Sequence, residues 1–72
     1  MPECAAVINT LISQRKEKGM TQNDLAKASG LTQSVIARLE SKKATPQLDT
    51  LLKVASALEC DVAIIPKRQG LK

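Results

Sequence analysis

Met20-Thr21-Gln22-Asn23-Asp24-Leu25-Ala26-Lys27-Ala28-Ser29-Gly30-Leu31-Thr32-Gln33-Ser34-Val35-Ile36-Ala37-Arg38-Leu39-Glu40-Ser41-Lys42-Lys43 holds two helix starts and one helix stop within two dozen residues. Thr21 offers a hydroxyl to the free backbone N–H groups of a first turn, and Asp24 stands three residues later in a variant capping box. Leu25, Ala26 and Ala28 supply a short apolar face. Ser29-Gly30-Leu31 then breaks the pattern, with Gly30 able to take positive φ and Leu31 placed to plug the corner. Thr32 reads as a fresh N-cap with Gln33 at the first helical position. The helix it opens, about residues 33–41, has two faces. Ser34, Ala37, Arg38 and Ser41 form a small or polar stripe, and Ile36, Leu39 and Glu40 lie opposite.

Outward from this stretch the signals remain helical. On the N-terminal side, Ile8, Leu11, Ile12 and Arg15 recur at helical spacing over about residues 4–18, and Gly19 follows a Lys-rich last turn. On the C-terminal side, Thr45-Pro46 makes a turn into a fourth helix, about residues 48–58, whose expected inner face is Leu48, Leu51, Leu52, Ala55 and Leu58. The texture changes after that. Asp61-Val62-Ala63-Ile64-Ile65 is short, rich in β-branched residues and stopped by Pro66, so a strand is expected. Residues 67–72 form a basic tail. One domain, residues 1–66, accounts for the rest.

Composition removes several classes of function. The chain has 72 residues, enough for one small core, and a formal net charge of +4 that suits a polyanion. It contains no His, Trp, Tyr or Phe. The usual acid–base group near neutral pH is therefore missing, as is the commonest imidazole metal ligand. No aromatic platform is present for splayed bases, which argues against single-strand or RNA recognition. Cys4 and Cys60 lie far apart, and two thiolates alone do not complete a zinc site. They read as small buried hydrophobes in a reducing compartment. No signal-peptide pattern or bilayer-length apolar run is evident. The expectations are a cytoplasmic protein that is not an enzyme, with no cofactor, no metal and no small-molecule ligand. Membrane-surface binding through Lys67, Arg68 and Lys72 lacks an amphipathic anchor.

Two short helices joined by a glycine turn, the second capped and bearing a polar outer stripe, describe a helix-turn-helix. The first helix must approach the second through small residues, here Ala26 and Ala28 beside Gly30. The second must bury one side through Ile36 and Leu39 while keeping hydrogen-bonding groups on the other, because the major groove admits a single helix.

Residues 20–26, 29–34 and 36–43, read together, resemble the phage repressor/Cro (Xre-type) helix-turn-helix family, and the similarity runs from about Leu11 to Leu58. The resemblance implies a mainly all-α fold: a lambda-repressor-like helix-turn-helix bundle of four or five helices, here with a short C-terminal β-strand. It implies a sequence-specific regulator of transcription, acting as a repressor, that inserts its third helix into double-stranded DNA. By the same resemblance, Gln22 grips a phosphate and abuts the recognition helix, while Gln33, Ser34 and Arg38 contact bases. Side-chain chemistry agrees. Gln can pair bidentately with adenine and Arg with guanine, and Ala37 or Val35 can meet a thymine methyl. Thr21, Thr32, Lys42 and Lys43 suit phosphates, which position without reading sequence. The bland readings are that Ser34 is a good first-turn residue and that the two lysines are a solvated loop.

Glu40 shares the inward side of its helix with Ile36 and Leu39, where an unpaired carboxylate would be costly. Arg15 is its natural partner, and the family's pattern pairs these positions, so both are expected to be structural. The family's usual last segment is a fifth helix. The strand here departs from that and resembles the subgroup of DNA-binding antitoxins whose C-terminal strands form a dimer sheet. Val62, Ala63, Ile64 and Ile65 would then pair with their own copy, giving a homodimer on a palindromic operator. The strand could instead fold against its own fourth helix. Two further functions remain open: an antitoxin that binds a toxin protein as well as DNA, and a protein-interaction module that keeps the fold without DNA.

Overall fold

Four α-helices are found among the described residues: α1 (Pro2–Glu17), α2 (Gln22–Ser29), α3 (Gln33–Ser41) and α4 (Leu48–Ala57). The structure is a computed structural model that describes residues 2–43, 45–64 and 66, with side chains from Ala5 onward. α1 starts two residues earlier than its apolar spacing suggests. Pro2 takes the first helical turn, where its missing N–H costs nothing and its ring presets φ.

The two expected N-caps are made. Thr21 Oγ1 accepts from the Asp24 N–H at 3.0 Å, and the Thr21 N–H donates to Asp24 Oδ2 at 2.9 Å, which closes the capping box of α2. Thr32 Oγ1 accepts from the Val35 N–H at 3.2 Å at the start of α3.

Three of the helices end in one and the same way. After α1, the Met20 N–H reaches the Arg15 carbonyl and the Gly19 N–H reaches Lys16. After α2, the Leu31 N–H reaches Ala26. After α4, the Cys60 N–H reaches Ala55 and the Glu59 N–H reaches Ser56. Each is a Schellman-type stop with a left-handed residue: Gly19 (φ 70°), Gly30 (φ 77°) and Glu59 (φ 59°). Each is followed by an apolar residue, and Met20, Leu31 and Cys60 all pack on the core. Turning the chain and adding to the core are thus a single event at each corner.

α2 is the hub, packed against both α3 and α4, with α1 laid on α3. The core is Leu11, Leu25, Ala26, Ile36, Leu39, Val54, Ala55 and Leu58, and Ile8 is also buried. Ala28, expected on the inner face of α2, is exposed. On α4, Leu48 and Leu52 are 66% and 46% exposed, and Val54 takes the buried place instead. That helix is apolar on more than one side, and contact with α2 selects which side goes in.

Residues 61–64 run without regular structure and are exposed, and Ile65 of the expected strand lies outside the described residues. The physical reason is plain: a strand exists as a hydrogen-bonded ladder, and no described segment of this chain offers it an edge. Nor does Ile64 dock on α4, being 97% exposed. The basic tail, residues 67–72, also lies outside the described residues.

Candidate nucleic-acid interface

α3 turns Ile36 and Leu39 into the core and leaves Gln33, Ser34, Val35 and Arg38 exposed, with Ala37 partly so. With nine residues it is about 13 Å long, a fit to one face of a major groove. Among the described residues, neither the Arg38 guanidinium nor the Ser34 hydroxyl has a hydrogen-bond partner. Gln33 lies at the N-terminal end of the stripe, where its Nε2 donates to Gln22 Oε1 at 2.8 Å. Beside Arg38, a groove of about 310 Å³ opens between the outer side of α3 and the start of α4, lined by Val35, Leu39, Pro46, Gln47 and Thr50 among others.

The residues expected at phosphates flank this stripe. Thr21 and Thr32 are exposed at the starts of α2 and α3. Each hydroxyl accepts the capping bond, and the Thr32 proton remains to donate. Gln22 is partly buried and has one committed N–H, from Nε2 to Glu40 Oε1 at 3.0 Å. Its second amide proton is the one open to a phosphate. Lys42 and Lys43 follow α3. Lys42 takes the left-handed conformation (φ 61°) and its Nζ donates to Asn9 Oδ1 at 2.7 Å, which tethers the end of α3 to α1. Asn9 was not singled out by the sequence. An exposed polar residue on α1 carries no periodic signal, and its partner is 33 residues away.

The Arg15–Glu40 pair forms as expected. Nε donates to Oε2 at 2.7 Å and Nη2 to Oε1 at 3.0 Å, with the side chains only 11% and 8% exposed. The guanidinium also donates from Nη1 to the Met20 carbonyl at 2.8 Å. One side chain therefore ties the end of α1, the entry to α2 and the last turn of α3. The sequence pointed to the carboxylate but not to the carbonyl.

The acidity of Asp24 is clearly moved. The Thr21 backbone N–H, then its hydroxyl, hold the carboxyl below its usual range, and Lys27 adds to this. Among the described residues, no group of three or more His, Cys, Asp or Glu is placed to hold a metal ion, and no helix is long and apolar enough to cross a membrane. Cys60 is a free thiol, half-buried against the core.

Comparison with known proteins extends the geometry. The family model described as Helix-turn-helix matches residues 11–65. The chain is 41% identical over 63 residues to an uncharacterized HTH-type transcriptional regulator of Haemophilus influenzae, covering 88% of this chain and 64% of that protein. It is 38% identical over 60 residues to the control protein C.SmaI of Serratia marcescens, covering 83% of this chain and 71% of that one. Among solved structures, a toxin-antitoxin module from Streptococcus pneumoniae superposes with a TM-score of 0.76 at 45% identity, covering 90% of this chain and 71% of that chain. The Haemophilus relative is longer, so the chain spans under two thirds of it. A match over both capped helices, the glycine corner and the fourth helix, with relatives of this identity, means that the chain belongs to the helix-turn-helix family of the Xre (repressor/Cro) type.

Proposed function

We propose that this chain is a sequence-specific regulator of transcription that docks α3 in the major groove of duplex DNA, represses by occluding a promoter, and does so as a two-fold homodimer. One observation carries the reading. The outer stripe of α3 is exposed while its opposite face is locked in the core, and the donors around it suit a phosphate backbone. Gln33, Ser34, Ala37 and Arg38 read base edges. Thr21, Gln22, Thr32, Lys42 and Lys43 hold phosphates and set the register. Arg15 and Glu40 keep α2 and α3 at the angle that docking needs. Such a protein works beside the DNA, in the cytoplasm.

The dimer reading rests on Val62 and Ile64, large apolar side chains left in solvent by the protomer. Paired with their copy across a two-fold axis, they are covered and the strand gains its ladder. The two recognition helices would then lie about 34 Å apart, one turn of DNA, on a palindromic operator. A second reading, an antitoxin that also binds a toxin protein, is favoured by the similarity to the Streptococcus pneumoniae toxin-antitoxin module.

Selection of bound fragments from a random duplex pool at physiological salt tests the main reading. The expected product is a pair of inverted half-sites with one-turn spacing. A pool that remains random after repeated rounds overturns it.

A further inference from the structure

Four side chains from three helices form a line of hydrogen bonds from the interior to the outer face of α3. Arg15 holds both oxygens of Glu40, Gln22 Nε2 donates to Glu40 Oε1 at 3.0 Å, and Gln33 Nε2 donates to Gln22 Oε1 at 2.8 Å. The direction of every bond follows from the first. A carboxylate gripped by a guanidinium has only lone pairs to offer, so Gln22 must turn its NH2 inward. Its carbonyl then faces Gln33, which can answer only with its own NH2. What Gln33 has left for the outside is Oε1 and one N–H, in a fixed order. The two ends of a glutamine amide are nearly the same shape, so packing alone would not choose between them.

We infer that Glu40 is a positioning residue for sequence reading: acting through Gln22, it sets the amide polarity of Gln33 and so the donor–acceptor pattern that α3 presents to a base pair. An unlocked amide can flip to suit either order of groups on a base edge. The locked one complements adenine, whose N6–H donates and whose N7 accepts. The inference rests on the reading of α3 as a groove helix and adds to it a second role for Glu40. A purely structural Glu40 would change stability and leave base preference alone.

The experiment measures base preference at every position of the selected operator, using the whole chain and single-base variants of the duplex. Gln33→Ala identifies the position that Gln33 reads. Gln22→Met keeps the side-chain length and the Arg15–Glu40 pair but transmits no polarity. Preference at the Gln33 position is expected to fall about tenfold, to the level of Gln33→Ala, with the other positions unchanged. A uniform loss of affinity with preference intact overturns the inference, because Gln22 would then serve only a phosphate. So does a Gln33→Ala that alters no position. Glu40→Gln, whose amide can meet Gln22 with either end, should lose the same preference, and a folded variant that keeps it overturns the inference.

If Glu40→Gln does not fold, the wild-type protein decides. Scalar couplings across the hydrogen bonds are expected from the Gln22 side-chain N–H to the Glu40 carboxylate carbon and from the Gln33 side-chain N–H to Gln22 Cδ. Their absence overturns the relay. A wild-type chain that selects no operator at all is a different result, since it removes the DNA reading first and the relay with it.

Discussion

The Thr21 hydroxyl accepts from the Asp24 N–H, and the Asp24 carboxylate accepts from the Thr21 N–H, so one reciprocal pair opens the helix that supports α3. The bond from the Thr21 N–H to the carboxylate favours charged Asp24 and, with the Thr21 hydroxyl beside it, depresses its pKa from the ordinary 3.8. A depressed carboxylate contributes stability that is fully present above the unfolded value and is lost as pH falls through the folded one. Asp24→Asn should therefore be less stable than wild type by a constant amount near neutrality. The gap should close as the solution is acidified below pH 3.8, as read from urea midpoints across pH. A gap that persists unchanged in acid would mean that charge on Asp24 is not what stabilises the cap. Arg38 poses the complementary question, because its guanidinium has no hydrogen-bond partner among the described residues. If it reads a guanine edge, Arg38→Ala loses about 1–3 kcal/mol on the selected operator and much less on random duplex. Equal losses on both would make it a phosphate contact.

At the scale of elements, the ends of helices carry more information than their middles. Gly19 and Gly30 stand where the chain needs a left-handed turn, yet α3 ends on Lys42 and α4 is followed by Glu59 in the same conformation. For a side chain with a Cβ that conformation costs about 1–2 kcal/mol, and a strained residue near a candidate site points to use. Lys42 supplies an amine at the end of α3, steered by Asn9. Glu59 supplies only an exposed ion pair with Lys18 at 3.3 Å, which adds little. Glycine at either position should relieve the turn. The backbone gain is about 0.5–1 kcal/mol once the extra freedom of unfolded glycine is subtracted, and at Lys42 the lost bond to Asn9 offsets part of it. The two variants should part company on DNA. Lys42→Gly is expected to weaken binding to all duplexes alike and to lower the slope of log affinity against log salt by about 1. Glu59→Gly should leave that slope unchanged. Identical salt slopes for wild type and Lys42→Gly would remove Lys42 from the phosphate contacts.

Across the whole molecule, what the sequence revealed and what it hid divide along a physical line. Caps, glycine corners and the Arg15–Glu40 pair were legible, because each is fixed by local chemistry or by a charge that has one place to go. The burial of α4 was not. Leu48, Leu51, Leu52, Val54, Ala55, Ala57 and Leu58 wrap most of the way around that helix, and only contact with α2 sends Val54 in and leaves Leu48 and Leu52 out. The hydrogen bonds that join Gln22 to Glu40 and Gln33 were hidden for a related reason: they link residues 18 and 11 positions apart, a matter of how helices meet. The C-terminal segment was legible in character and not in partner. Val62 and Ile64 alternate as a strand requires, placing both on one face. Among the described residues Ile64 of that face is 97% exposed and Val62 56%. Ile64→Asp puts a charge at its centre without touching the core, since Ile64 is 97% exposed, so the helical fold and its circular dichroism should be unchanged. If two copies pair there, the charges would face each other across the axis without water. Sedimentation should then find monomers, and operator affinity should drop toward that of a single half-site. A dimer of undiminished stability would exclude this segment as the interface and move attention to Leu48 and Leu52, where Leu48→Asp repeats the test on the other exposed apolar surface.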